Sequence, residues 1–248
     1  MIRAASGDEL EQLVLRYGDD PRRGVQRALA AALHRSEELA VEQDRLDGLY
    51  GTIDAAASNA VIIGIDEVGR GAIAGPLYVA AVVLPPRPRL PGLDDSKRLS
   101  ARQRQSLATM ITDVAIAIGL SSVEASEIDR IGMSAALRLA ISTALSHIEL
   151  EPDLVLLDGN RLGIHPKERA IISGDSLEAP IAAASIIAKV TRDELMVEVA
   201  RSHPEYSFES NKGYASPEHI AALQLHGATD MHRKSFLTNI LSGQERLF

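Results

Sequence analysis

One short stretch limits the fold more than any other. The apolar run Val61-Ile62-Ile63-Gly64-Ile65 stops on Asp66-Glu67, crosses a glycine-rich turn over 69–76, and is answered by a second apolar run over 77–84. Runs of this length, rich in β-branched residues and bounded by glycine and proline, read as buried strands. A domain therefore opens on two adjacent strands with a pair of acids at the end of the first.

Beyond these strands the chain keeps an α/β rhythm. Ser100 and Gln103 form a capping box ahead of a helix, and a third strand is expected over 113–123. Over 133–148, Leu137, Ala140, Ile141, Ala144, Leu145 and Ile148 share one helical stripe, and 154–157 make a short apolar strand that ends at Asp158. A further strand falls near 169–173, an alanine-rich helix runs from about 180 to 201, and Ser216-Pro217 starts another helix. Strands alternating with helices predict one α/β domain.

The composition changes near residue 58. Before it, Ser6 and Glu9 make a capping box for a helix with Leu10, Leu13, Val14 and Tyr17 on one stripe, and Asp20-Pro21 reopens a helix as N-cap and first-turn proline. Val25, Leu29, Ala32, Ser36, Leu39, Gln43, Leu46 and Tyr50 then alternate steps of four and three, as in one long helix with a partly apolar seam. Residues 55–59 read as a linker. The expected organisation is a helical extension over 1–58 and an α/β domain over 59–248, the latter closing in a helical segment over 206–248.

The 248 residues contain no cysteine, which excludes disulfides, thiolate zinc sites and thiol nucleophiles. The seven histidines show no His-x-x-x-His spacing, so they are expected at the surface or in packing rather than on zinc. The start is charged rather than a signal core, and no long uncharged apolar run occurs, so the expected setting is the cytoplasm, without a membrane. A net charge of −8 argues against nucleic acid as a partner. Locally the sign reverses: residues 85–104 hold Arg87, Arg89, Lys97, Arg98, Arg102 and Arg104 against Asp94 and Asp95 alone. Such a stretch tracks a phosphate backbone or is a solvated helix face.

Asp66, Glu67, Asp158 and Asp193 stand at the ends or inside of the expected elements. Abutting strand ends bring such side chains together, and clustered carboxylates stay ionised at neutral pH only with a compensating cation. Hard oxygen ligands favour magnesium or manganese. Asp66 and Glu67 point to opposite faces of a regular strand, so both reach one site only if the strand breaks, as Gly69 and Gly71 would allow. Taken singly, each acid reads first as a surface or capping residue, and Lys189 with Asp193 as an i, i+4 pair.

Five ordered blocks carry a resemblance: Gly64-Ile65-Asp66-Glu67-Val68-Gly69-Arg70-Gly71 with Ala74-Gly75-Pro76; Asp95-Ser96-Lys97; Leu157-Asp158-Gly159; residues 181–193, Ile-Ala-Ala-Ala-Ser-Ile-Ile-Ala-Lys-Val-Thr-Arg-Asp; and Asn211-Lys212-Gly213-Tyr214. Over about 60–240 the chain resembles bacterial ribonuclease HII, and residues 20–50 resemble a helical extension found in some members. Ala215 departs from the glycine usual in the family after the tyrosine.

The resemblance implies a ribonuclease H-like fold, a mixed five-stranded sheet flanked by helices, with Asp66, Glu67, Asp158 and Asp193 holding two divalent ions, Mg2+ or Mn2+, for in-line phosphodiester hydrolysis. The implied substrates are RNA–DNA hybrids and duplex DNA with embedded ribonucleotides, cut by a monomer to leave 5′-phosphate and 3′-hydroxyl. Telling ribose from deoxyribose means sensing a 2′-hydroxyl, a task the resemblance gives to Gly69, Arg70, Gly71 and Tyr214. Lys97 and Lys189 would neutralise phosphates, with Ser96 and Ser185 donating to the nucleic-acid backbone. The closing Gln244-Glu245-Arg246-Leu247-Phe248 resembles a glutamine-to-aromatic sliding-clamp tail. Two other readings are a catalytically silent binding module, against which the complete acid set argues, and an integrase-like DNA nuclease, against which the glycine-arginine-glycine turn argues.

Overall fold

The structure, a computed structural model, describes residues 7–241. The Ser6 cap and the clamp-like tail over 244–248 lie outside the described residues. The chain divides into two compact units, Met1–Gly48 and Leu49–Phe248. The first contains α1, Gly7–Tyr17, and most of α2, Arg23–Leu49. Asp20 does not cap α2 in the expected way: its carboxylate takes the backbone N–H and guanidinium of Arg22, and the helix starts beyond that ion pair. Along the expected seam Leu29 and Leu46 are buried whereas Leu39 is exposed.

The second unit opens with a short helix, α3 (Gly51–Ala55), and is built on five strands: β1 Ile62–Val68, β2 Leu77–Val83, β3 Ala117–Val123, β4 Leu154–Asp158 and β5 Glu168–Ile171. Their order is β3-β2-β1-β4-β5. The β1–β2 and β2–β3 pairs are antiparallel, and β1–β4 and β4–β5 are parallel, which makes the expected mixed sheet. The helices are α4 Ala101–Val114, α5 Ala125–Ile131, α6 Met133–Ser146, α7 Ala179–Ser202, α8 Phe208–Asn211, α9 Pro217–His226 and α10 Lys234–Leu241.

Period-two alternation in β1 sorts its side chains onto two faces. Ile63 and Ile65 join Leu77, Val79, Val155 and Leu157 in a core closed by Leu137, Ala140, Ile141 and Ala144 of α6. On the other face Gly64 lies against α7, so close that a Cβ there would strike the Pro180 carbonyl and the Ile181 nitrogen. A second cluster gathers Ile73, Met196, Tyr206, Phe208, Leu223 and Leu237 around the C-terminal helices.

The expected third strand begins too early, because α4 continues to Val114 and buries Leu107, Ala108 and Ile111 before β3 starts at Ala117. The Ser100–Gln103 capping box is formed in both directions. Among the described residues no helix is long and apolar enough to cross a membrane.

Candidate metal centre and substrate cavity

Pairing of β1 with β4 stops at Ile65↔Leu157, whereas pairing with β2 continues to Val68↔Tyr78. Asp66 and Asp158 each follow the last paired residue of that parallel junction, so the two carboxylates emerge side by side at its open end. The strand does not break between Asp66 and Glu67, as expected from Gly69 and Gly71; both residues stay in the β1–β2 ladder, opposite Ala80 and Val79. Because the β4 side is already open there, Glu67 still reaches the same cavity as Asp66, and both feel the charge of Asp158.

The third acid of the cluster is Asp175, not Asp193. One oxygen from each of Asp66, Asp158 and Asp175 lies within 4.8 Å of the others. Asp175 is buried in a single 3-10 turn, Gly174–Ser176, between β5 and α7, and the Gly174 N–H donates to Asp158 Oδ1 at 2.7 Å. Asp193 sits elsewhere. Ser185 on α7 lines the same cavity as Asp66, and Asp193 is eight residues, roughly 12 Å of helix rise, further along. There it pairs with Lys189 Nζ at 2.8 Å and Arg104 Nη2 at 4.0 Å and lines a different groove beside Ala101 and Gln105. The i, i+4 reading of Lys189 and Asp193 describes that pair.

Sequence reasoning missed Asp175 although a signal was present: like Asp66 and Asp158, it follows closely on a strand, whereas Asp193 lies in the middle of a helix.

The electrostatics of the cluster call for a cation. Burial, reinforced by Glu67 and Asp158, pushes the Asp66 carboxyl well above the usual carboxylate range. Burial also raises Glu67, against the pull of Arg70, and Asp175, against its 2.9 Å ion pair with Lys97. An all-oxygen set of converging carboxylates, with Asp66 and Asp175 held up against ionisation, fits a hard divalent ion, which would supply the missing positive charge.

Asp66 and Glu67 belong to a cavity of about 340 Å³ lined also by the Gly69-Arg70-Gly71 turn, Ser96, Lys97, Ser185, Lys189 and Tyr214. All eight substrate-binding positions expected from the resemblance therefore face one space. Their roles differ in detail. Ser96 and Ser185 are buried and share a hydrogen bond at 2.8 Å, and the Ser185 hydroxyl beside Asp66 works against the effect of burial on that carboxyl.

Gly69 has φ +86°, and a Cβ there would strike the Arg192 guanidinium, so glycine is required by the fold itself. Gly71 meets nothing within 4 Å of its would-be Cβ, which leaves open space against that stretch of backbone. Tyr214 is 37% exposed and its ring rests on Arg192, 5.4 Å from the centroid, with Lys189 at 6.0 Å.

Two buried arginines that sequence reasoning also missed hold this turn from below. Arg192 donates to the carbonyls of Ala74, Pro76 and Lys212, and Arg233 to those of Gly75 and Arg70. Drawing turn carbonyls inward onto fixed guanidiniums locks the backbone whose outer side lines the cavity.

Solved structures place this architecture first in a class. The ribonuclease H2 of Pyrococcus horikoshii superposes with a TM-score of 0.64 at 24% identity, over 75% of this chain and 99% of its own. Ribonuclease HII in the structure of its complex with PCNA from Archaeoglobus fulgidus gives 0.59 at 24%, over 70% and 94%. The fold is ribonuclease H-like. Residues 63–239 match the model of the family Ribonuclease HII. A ribonuclease HII of Bacillus velezensis is 40% identical over 231 residues, 92% of this chain and 91% of that protein. The chain belongs to the ribonuclease HII family and so to the metal-dependent endoribonucleases.

Proposed function

We propose that this ribonuclease hydrolyses the RNA strand of RNA–DNA hybrids and incises duplex DNA on the 5′ side of embedded ribonucleotides, leaving 5′-phosphate and 3′-hydroxyl ends. One observation carries the reading: Asp66, whose carboxylate meets those of Asp158 and Asp175, also lines the cavity that presents the Gly69-Arg70-Gly71 turn and the Tyr214 ring. Cleaving chemistry and ribose sensing thus share one space.

In this reading Asp66, Asp158 and Asp175, with Glu67 at the rim, would hold two divalent ions, Mg2+ or Mn2+. Such ions activate water and stabilise a departing 3′ oxygen in phosphodiester hydrolysis. The chain's own residues do the rest. Ser96 and Ser185 offer hydroxyls beside Asp66, Lys97 and Lys189 neutralise phosphates that enter the cavity, and the open backbone at Gly71 lets a ribose approach closely enough for its 2′-hydroxyl to be sensed. Tyr214 offers its exposed ring to the next sugar. The C-terminal residues 244–248 would bind a sliding clamp, a reading supported by the archaeal relative whose structure is a complex with PCNA. Deleting them should abolish clamp binding and leave cleavage of short duplexes intact.

The deciding assay compares a duplex with one ribonucleotide, a full hybrid and plain DNA, in magnesium, manganese and chelator. Cutting of the first two in either metal, and of nothing in chelator, is expected. Equal cutting of plain DNA would refute the ribose-sensing role.

A further inference from the structure

Two histidines with no part in the proposed chemistry are joined behind Tyr214. His219 on α9 and His232 before α10 are fully buried, and their Nε2 atoms are 3.0 Å apart. The outer ends of the pair fix where the protons are. His232 Nδ1 faces the Thr229 backbone N–H at 3.0 Å, a group that only donates, so Nδ1 accepts and the proton of His232 is on Nε2. That proton is donated to His219 Nε2, which leaves the His219 proton on Nδ1, 2.8 Å from the Tyr214 carbonyl, a group that only accepts. The chain of hydrogen bonds runs in one direction, from the Thr229 amide through two neutral rings to the Tyr214 carbonyl.

Each ring is held in its tautomer by the other. Switching His232 would set an N–H against the Thr229 N–H, and switching His219 would set a lone pair against the Tyr214 oxygen. The Tyr206 and Phe208 rings wall the pair in, with the Tyr206–His232 centroids 4.8 Å and the Phe208–His219 centroids 5.2 Å apart. The Tyr214 backbone is thereby tied to α9 and to the segment before α10, while its ring leans on Arg192.

We propose that His219 and His232 are positioning residues for ribose recognition: a directed hydrogen-bond relay that fixes the backbone of Tyr214 and, through it, the ring that meets the sugar. This rests on the proposed part of Tyr214 in ribose sensing.

The test uses the full-length protein with Mg2+. Long-range 1H–15N correlation of 15N-histidine-labelled protein at pH 7 should find His232 protonated on Nε2 and His219 on Nδ1, both neutral; any other pair of tautomers overturns the relay. In kinetics on a single-ribonucleotide duplex, His219→Phe should raise KM about tenfold, one hydrogen bond's worth, with kcat within about threefold. His219→Asn, whose side-chain amide N–H takes the place of Nδ1–H, should return KM to within about threefold of the parent.

In a Tyr214→Ala background His219→Phe should add nothing to KM, which a general structural defect would not mimic. Unchanged KM in a folded His219→Phe protein, or full additivity with Tyr214→Ala, defeats the proposal. Should His219→Phe fail to fold, the same cycle is run with His232→Leu, which removes the donor to His219 and should raise KM only where Tyr214 is present. A parent enzyme that cuts plain DNA as readily as the ribonucleotide duplex defeats the proposed function instead, whatever the tautomers.

Discussion

At the scale of single residues, the sharpest contrast is between Asp175 and Asp193. The first shares a cluster of oxygens with Asp66 and Asp158, and the second is neutralised by Lys189 and Arg104. Asp175→Asn should lower kcat by about a thousandfold or more with the fold retained, whereas Asp193→Asn should stay within about tenfold; the reverse result would restore the expectation from sequence. Gly71 gives a second contrast. Since a Cβ there meets nothing, Gly71→Ala should leave the melting temperature within about 2 °C while cutting kcat/KM on ribonucleotide-containing duplex by at least about tenfold, measurable side by side. Asp66, Glu67 and Asp158 were legible because a conspicuous apolar strand announces each of them. Asp175 was harder to read: its place shortly after a strand is a weak signal, because a three-residue turn has no periodicity and its partners are brought to it only by the tertiary fold. Asp193 misled because closeness to a motif in sequence says nothing of the distance a helix rises.

Among the elements, α7 and β1 are the pair on which the site depends. Ser185 and Asp66 line one cavity only because α7 lies directly on β1, and Gly64 is what permits that approach. Gly64→Ala forces the helix off the strand and should destabilise the protein by about 3 kcal/mol. That corresponds to a fall of roughly 9 °C in Tm, readable by calorimetry, with kcat falling further than the fraction unfolded explains. Element type was read well from periodicity where runs are long or strongly apolar, as in β1, β2, α6 and α7. It failed around 113–116, where Ile111 and Val114 suit a last helical turn as well as a strand. It also missed α5, a helix of only seven residues. The buried arginines were invisible because arginine in a sequence reads as surface; only the fold shows backbone carbonyls taking the place of carboxylate partners.

For the molecule as a whole, stability and catalysis are set against each other through protons. The raised Asp66 means that, without metal, the fold is favoured while this carboxyl is protonated; that contribution is complete below about pH 3.8 and is lost as pH rises toward the elevated folded value. His232 acts in the opposite sense. Burial holds it down at about 4 against 6.5 in the unfolded chain, so its contribution is complete above 6.5 and is lost as pH falls toward 4. In chelator at pH 8, Asp66→Asn should therefore melt higher than the parent while being inactive, and Mg2+ should raise the parent's Tm but hardly that of the variant; a parent that gains nothing from Mg2+ would remove the metal from the cluster. The order of the acids along the chain has a consequence for protein synthesis. Asp66 and Glu67 are made well before Asp158, Asp175, Tyr214 and His232, so a nascent chain that has not yet reached β4 holds only part of the pocket. The pocket is assembled only when segments made far apart in time have folded together.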